Sequence, residues 1–213
     1  LEAAYRFPER IVPLVQVDPR MPRADQVIKY FASNHSIIKG FGELVDGLSM
    51  DDEKRQLIYA TCEELGFPLI FYGSSYSSFD DVGLPRLEAM LQKYPGLIFI
   101  GHGPRWWNAI SADDDASCRY PTTPVVEGGA ADRLLQEYPN MYADLSAGSG
   151  YNAITRDPDW TEGFLVRNWQ KLLFATDYTR MNDPLPQIKW VRETPMSDEM
   201  RAAIMEGNAR KVF

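Results

Sequence analysis

His102 and Asp177 each close a short apolar, β-rich run, Leu97 to Gly103 and Lys171 to Tyr178. One offers an imidazole and the other a carboxylate, a pair competent for metal ligation or acid–base work. Buried parallel strands read as continuous apolar runs, and the residue just past such a run lies at the active rim of an α/β barrel. Glu43 ends a third run, behind Gly40-Phe41-Gly42, whose glycines let other groups approach the backbone. Tyr72 and Asp144 close two more. Glu43, His102 and Asp177, from separate strand ends, match Zn, Mn or Fe better than a nucleophile triad. Each alone also has an ordinary role: Glu43 as a salt-bridge or helix-cap partner, His102 as a structural group between glycines, Asp177 as a turn cap. Their joint placement favours a shared site.

The elements that would carry these residues alternate along the chain. Strands are expected over Arg10–Asp18, Ile37–Leu44, Pro68–Gly73, Leu97–Gly103, Met141–Ser146 and Lys171–Tyr178, six in all. Helices are expected between them. One runs from about Arg23 to Ser33, and another follows Asp51-Asp52 to Leu65, where Gly66 stops it. Leu84 to Tyr94 shows helical spacing, with Leu84, Leu87, Met90 and Leu91 on one face and Pro95-Gly96 as the stop. Val126–Tyr138, Trp160–Asn168 and a last helix opened by an N-cap at Ser197 complete the set. Strands alternating with helices predict an α/β fold with a parallel sheet in one domain, residues 1–213.

Composition removes several function classes. The chain carries 22 Lys and Arg against 30 Asp and Glu, a net charge of −8, without a basic cluster. Nucleic acid and anionic membrane both need a concentrated positive face, so neither is an expected partner. No run approaches the ~18 apolar residues of a membrane span and no signal peptide is visible, which leads to a cytoplasmic expectation. Cys62 and Cys118 form no spaced framework; Cys62 falls within a helical pattern and reads as a buried apolar residue.

Several segments together resemble the amidohydrolase superfamily, in its amidohydrolase-related, decarboxylase-like branch. They are Phe7-Pro8-Glu9-Arg10-Ile11-Val12-Pro13, Lys39-Gly40-Phe41-Gly42-Glu43-Leu44, Pro68-Leu69-Ile70-Phe71 and Leu84-Pro85-Arg86-Leu87-Glu88 through His102-Gly103. Tyr142 to Ser146, Leu172 to Tyr178 and the closing Gly207-Asn208-Ala209-Arg210-Lys211-Val212-Phe213 continue the likeness over nearly the whole chain. The resemblance implies a distorted TIM (β/α)8-like barrel with one or two divalent metal ions, zinc first and manganese or iron as alternatives. It implies metal ligands at Glu43, His102 and Asp177, with Asp177 also shuttling protons and His102 ligating or stabilising developing negative charge.

Two departures accompany it. The chain has only two histidines, His35 and His102, and no HxH pair. If Ile11–Val17 is the third strand of such a barrel, the first two strands are missing, and the domain is expected to be N-terminally incomplete. Tyr72 falls where the resemblance implies a histidine, and a neutral phenol with a pKa near ~10 is a poor zinc ligand. His35 precedes a strand and is expected at the opposite rim.

Beyond His102, a long irregular stretch from about Pro104 to Pro124 holds Arg105, Trp106 and Trp107. At the active rim the two indoles would wall a substrate pocket, with Arg105, Arg180 and Tyr72 contacting a carboxylated ligand; loop packing is the competing role for the indoles. Ser146-Ala147-Gly148-Ser149-Gly150 lacks the Gly-Lys-Ser/Thr ending of a phosphate loop and reads as a flexible rim loop. The expected function is a metal-dependent hydrolase or nonoxidative decarboxylase (carboxy-lyase) acting on a small carboxylated or cyclic substrate, with a homodimer possible. The alternatives are a metal-free binding barrel or pseudoenzyme and a metal-independent lyase or isomerase in which Tyr72, His102 and Asp177 do acid–base work.

Overall fold

The computed structural model describes residues 1–213. Five parallel strands form one sheet in sequential order: β1 (Phe41–Leu44), β2 (Leu69–Tyr72), β3 (Phe99–His102), β4 (Met141–Asp144) and β5 (Leu172–Leu173). Sequential parallel order is the winding of a barrel, and helices supply the crossovers. They are α1 (Glu2–Arg6), α2 (Ala24–Asn34), α3 (Glu53–Leu65), α4 (Pro85–Lys93), α5 (Pro104–Asn108), α6 (Ala130–Glu137), α7 (Ala147–Thr155), α8 (Pro158–Asn168), α9 (Pro186–Glu193), α10 (Asp198–Ala202) and α11 (Asn208–Val212). β1 and β5 are the sheet's two ends, so the barrel is partial. No helix is long and apolar enough to cross a membrane.

The strand count corrects the expectation of six. Arg10–Asp18 lies parallel to β1 but makes only one bridge, Val15 to Phe41. Pro13 can accept from Lys39 but has no N–H to give, so the ladder cannot extend past it. The last strand is also shorter than expected. After Leu173 the chain leaves the sheet, because the Phe174 N–H donates to Ile204 O at 2.8 Å instead of to a strand.

Residue parity assigns the two faces of the sheet. Leu69, Phe71, Phe99, Met141 and Ala143 join a 38-residue core beneath the helices. Their alternates Ile70, Ile98, Ile100 and Tyr142 face the barrel interior, where Ala209, Val212 and Phe213 of the C-terminal end pack on them. Continuing that parity by two residues brings Tyr72, His102 and Asp144 out on the interior side at the strands' C-terminal edge. Register keeps them level, with Tyr72 opposite His102 and Gly101 opposite Ala143.

Local signals set most helix ends. Asp52 Oδ1 accepts from Lys54 N at 2.8 Å to open α3, and Gly66 at φ +66° closes it. Ser197 Oγ accepts from Met200 N at the start of α10. Two segments differ from their expected loops. Pro104–Asn108 is helical, with Pro104 in its first turn. The Ser/Gly run after Ser146 is not a flexible loop but the first turns of α7. Its residues are weak helix formers, yet Gly150 lies so close under Leu145 that a Cβ would stand 2.6 Å from that carbonyl carbon. Gln187 Nε2 also donates to Ala147 O at 2.7 Å. Tertiary contact outweighs propensity there.

Candidate active site

His102, at the end of β3, is buried and held through Nδ1, with a carboxylate near each ring nitrogen. Its Nδ1 lies 3.0 Å from Asp144 Oδ1 on β4. A carboxylate only accepts, so Nδ1 carries a proton and donates it. Ser146 tightens this contact: its hydroxyl donates to Asp144 Oδ1 at 2.6 Å and stands 3.0 Å from His102 Nδ1. The Ser146 N–H donates to the same carboxylate oxygen at 3.1 Å. On the other side of the ring, Nε2 is 3.5 Å from Glu43 Oε1, a half-buried carboxylate at the end of β1.

The charges shift accordingly. Burial alone would depress the His102 pKa, but Asp144, then Glu43 and Asp177, outweigh it and push it up to about 9. Burial raises the Glu43 carboxyl; His102 pulls it back, while Asp177 and Asp144 add to the rise. Tyr72 is pushed up to about 12 by burial and the neighbouring Tyr76, against the pull of Arg119, so its phenol stays neutral. The Tyr72 and His102 rings are 5.7 Å apart, and Arg119 Nη2 donates to the Tyr72 hydroxyl at 3.0 Å.

A cleft of about 520 Å³ opens over this group, with Tyr72, His102, Arg119, Tyr120, Tyr151, Asp177, Arg180 and Gln187 among its walls. Asp177 sits four residues beyond Leu173, exposed and at φ +54°. The expected trio is therefore only partly assembled. Glu43 and His102 meet, but no group of three His, Cys, Asp or Glu side chains converges in metal-holding geometry. Asp177 follows after the chain has left the sheet at Phe174, and lines the cleft near enough for its charge to act on His102 and Glu43. His102 Nδ1 donates to Asp144, which leaves Nε2 turned toward Glu43, and the Tyr72 oxygen faces a guanidinium. Glu43 and His102 Nε2 are two converging donors, fewer than the three or four protein ligands of a typical site, and the Tyr72 phenol, bonded to Arg119, is a poor third.

The rim residues also redistribute. Trp106 and Trp107 are each 1% exposed and belong to the core rather than to a pocket wall. Trp106 lies edge-on to Phe71, so close to Gly101 that a Cβ there would be 2.5 Å from Trp106 Cδ2. Trp107 donates its indole N–H to Asp144 O at 3.0 Å. Arg105 is buried in an ion pair with Asp114, so the expected carboxylate clamp is already engaged within the protein. Arg180 does line the cleft and is exposed. His35 is remote from the site, bonded through Nδ1 to Tyr5 and stacked on Phe31. Cys62 is buried and Cys118 exposed, both free.

Arg119, Ser146, Tyr120, Tyr151 and Gln187 were not anticipated. Ser146 follows Asp144 by two residues at the end of an apolar run, a signal the sequence contains. Arg119 has no such signal, since its partner Tyr72 is 47 residues away.

The fold is shared with solved structures. An uncharacterised TIM-barrel protein from Bordetella bronchiseptica superposes with a TM-score of 0.71 at 16% identity, covering 99% of this chain and 69% of that one. A 2,6-dihydroxybenzoate decarboxylase from Rhizobium gives 0.60 at 18% identity, over 99% and 73%. A 5-carboxyvanillate decarboxylase from Novosphingobium aromaticivorans, solved with bound manganese and a nitrobenzoic acid, gives 0.65 at 16%, over 99% and 67%. No curated protein matches the sequence. A family model described as amidohydrolase matches residues 2–213, and the chain belongs to that family.

Proposed function

We propose that this chain acts on a small aromatic carboxylic acid as a nonoxidative decarboxylase. The observation that carries the reading is His102 fixed by Asp144 at the floor of a cleft that also presents Arg119, Arg180 and tyrosine rings. Cations suit the carboxylate, and the rings suit an aromatic body. Two decarboxylases of hydroxylated aromatic acids share the fold at low identity, which supports the substrate class.

The step balances on this chain's own residues. The ring carbon bearing the carboxylate takes the Nε2 proton of His102. The C–C bond then breaks, its electron pair returns to the ring, and CO2 leaves. Glu43, 3.5 Å from Nε2 and partly exposed, is placed to return a proton from solvent. Asp144 keeps the imidazole oriented throughout. A second reading, a metal-free barrel that binds such acids without turning them over, is favoured by the guanidinium bonded at the Tyr72 oxygen.

The test is incubation of the protein with hydroxylated benzoic acids, with and without added manganese, following CO2 release and substrate binding together. Turnover lost in His102→Asn supports the decarboxylase. Binding without turnover under every condition supports the second reading. Release of a hydrolysis product from amide or ester analogues, with no CO2 from the acids, would instead indicate a hydrolase.

A further inference from the structure

We infer that Arg119, braced by the Tyr72 hydroxyl, holds the carboxylate of an aromatic acid in this cleft without a metal ion. The inference rests on the reading of the cleft as an aromatic-acid site and adds how the acid is gripped. Arg119 is fixed on two sides. Its Nη2 donates to Tyr72 at 3.0 Å, and its guanidinium packs against the Tyr120 ring, 5.5 Å from the centroid. Neither contact neutralises it. Arg55, Arg105, Arg133 and Arg167 are each paired with a carboxylate, whereas Arg119 bonds only to a neutral phenol. Its remaining N–H groups are free for a planar, bidentate acceptor, the geometry of a carboxylate.

Position adds to this. Arg119 and His102 line the same cleft, and Tyr72 spans between them, bonded to the first and 5.7 Å ring to ring from the second. A carboxylate on Arg119 therefore leaves its aromatic ring near the imidazole and beside Tyr120 and Tyr151. Arg180 is the other cation of the cleft; only its backbone N–H is bonded, to Asp183, and its guanidinium is braced by no neighbour, so ordering it costs more on binding. A divalent cation at the Tyr72 oxygen would meet the guanidinium already bonded there, a like-charge contact that opposes its entry.

Titration calorimetry with 2,6-dihydroxybenzoate, on protein before and after chelator treatment, tests the inference. Chelation should leave Kd unchanged. Arg119→Met should weaken binding roughly tenfold or more, as loss of a charge-assisted contact does. Arg119→Lys should fall between, keeping the charge and losing the fork, and Tyr72→Phe should weaken binding by a smaller factor through loss of the brace. Binding that vanishes on chelation and returns with manganese would overturn the inference while leaving the aromatic-acid reading intact. Arg119→Met binding as tightly as wild type would do the same. Wild-type protein that binds no aryl carboxylate, with or without manganese, overturns both.

Discussion

Asp144 accepts from the Nδ1 of His102 across adjacent strands, and the Ser146 hydroxyl and amide both donate to the same carboxylate oxygen. The carboxylate is thus anchored before it orients the imidazole. Trp107 fixes the Asp144 carbonyl from below, so the dyad is tied to the core by a residue that never reaches the cleft. The dyad is positioned by β3, β4 and α5 together, whereas Arg119 and Arg180 reach the cleft from loops.

Asp144→Asn should lower the His102 pKa. The wild-type value stands at about 9, above the ordinary 6.5, because nearby carboxylates outweigh burial. Folded above unfolded means that the imidazolium adds stability present in full below pH 6.5, and this is lost as pH rises through about 9. With only two histidines in the chain, NMR can follow both imidazoles separately. The variant's midpoint should move down, and the decline in stability over that pH window should flatten. An unchanged midpoint would show that Asp144 does not hold the charge.

Trp107→Phe separates packing from recognition. The indole is buried, packs edge-on near Phe164 and donates to Asp144 O. Losing both volume and hydrogen bond should cost about 2 kcal/mol in urea unfolding. Affinity for an aryl carboxylate should stay within about threefold of wild type, since the ring lies outside the cleft. A large loss of affinity at unchanged stability would return this tryptophan to the pocket wall.

That tryptophan also shows where the sequence stops being informative. The helix caps at Asp52 and Ser197 and the stop at Gly66 are legible because each acts on backbone within about three residues. The apolar runs ending in Tyr72, His102 and Asp144 are legible because period-2 burial fixes their faces. The pair Trp106 and Trp107 reads equally well as a pocket wall or as core; the close approach at Gly101 decides for core at Trp106, and the bond to Asp144 O with packing on Phe164 decides it at Trp107. The run through Asp177 reads as one strand, yet a hydrogen bond to Ile204, 30 residues on, ends it after Leu173. Contacts at such separations leave no local trace.

Gly101→Ala tests the floor of the site. A Cβ at this position would sit 2.5 Å from Trp106 Cδ2, and the indole is walled in by the core. Neither partner can swing aside, because Gly101 is within a paired strand and Trp106 is 1% exposed. The substitution should destabilise by about 2 kcal/mol or more through overpacking. Wild-type stability in urea would mean that Trp106 is less confined than its contacts show.

Asp46→Ala addresses the loop that follows Glu43. Asp46 pairs with Arg55 at 2.5 Å, with the side chains only 4% and 0% exposed. Arg55 Nη1 also donates to Ser78 at 2.8 Å, and the Asp46 N–H donates to Ser77 Oγ at 3.1 Å, so the pair joins the loops after β1 and β2. Removing the carboxylate strands a buried guanidinium, which costs about 3–5 kcal/mol. Arg55→Met combined with Asp46→Leu removes both charges and should recover most of that loss, because the desolvation penalty disappears with the ions. The double variant should also keep its affinity for aryl carboxylates, since neither residue reaches the cleft. If the double variant is no more stable than Asp46→Ala, the pair contributes through specific geometry at the loop junction rather than through charge balance.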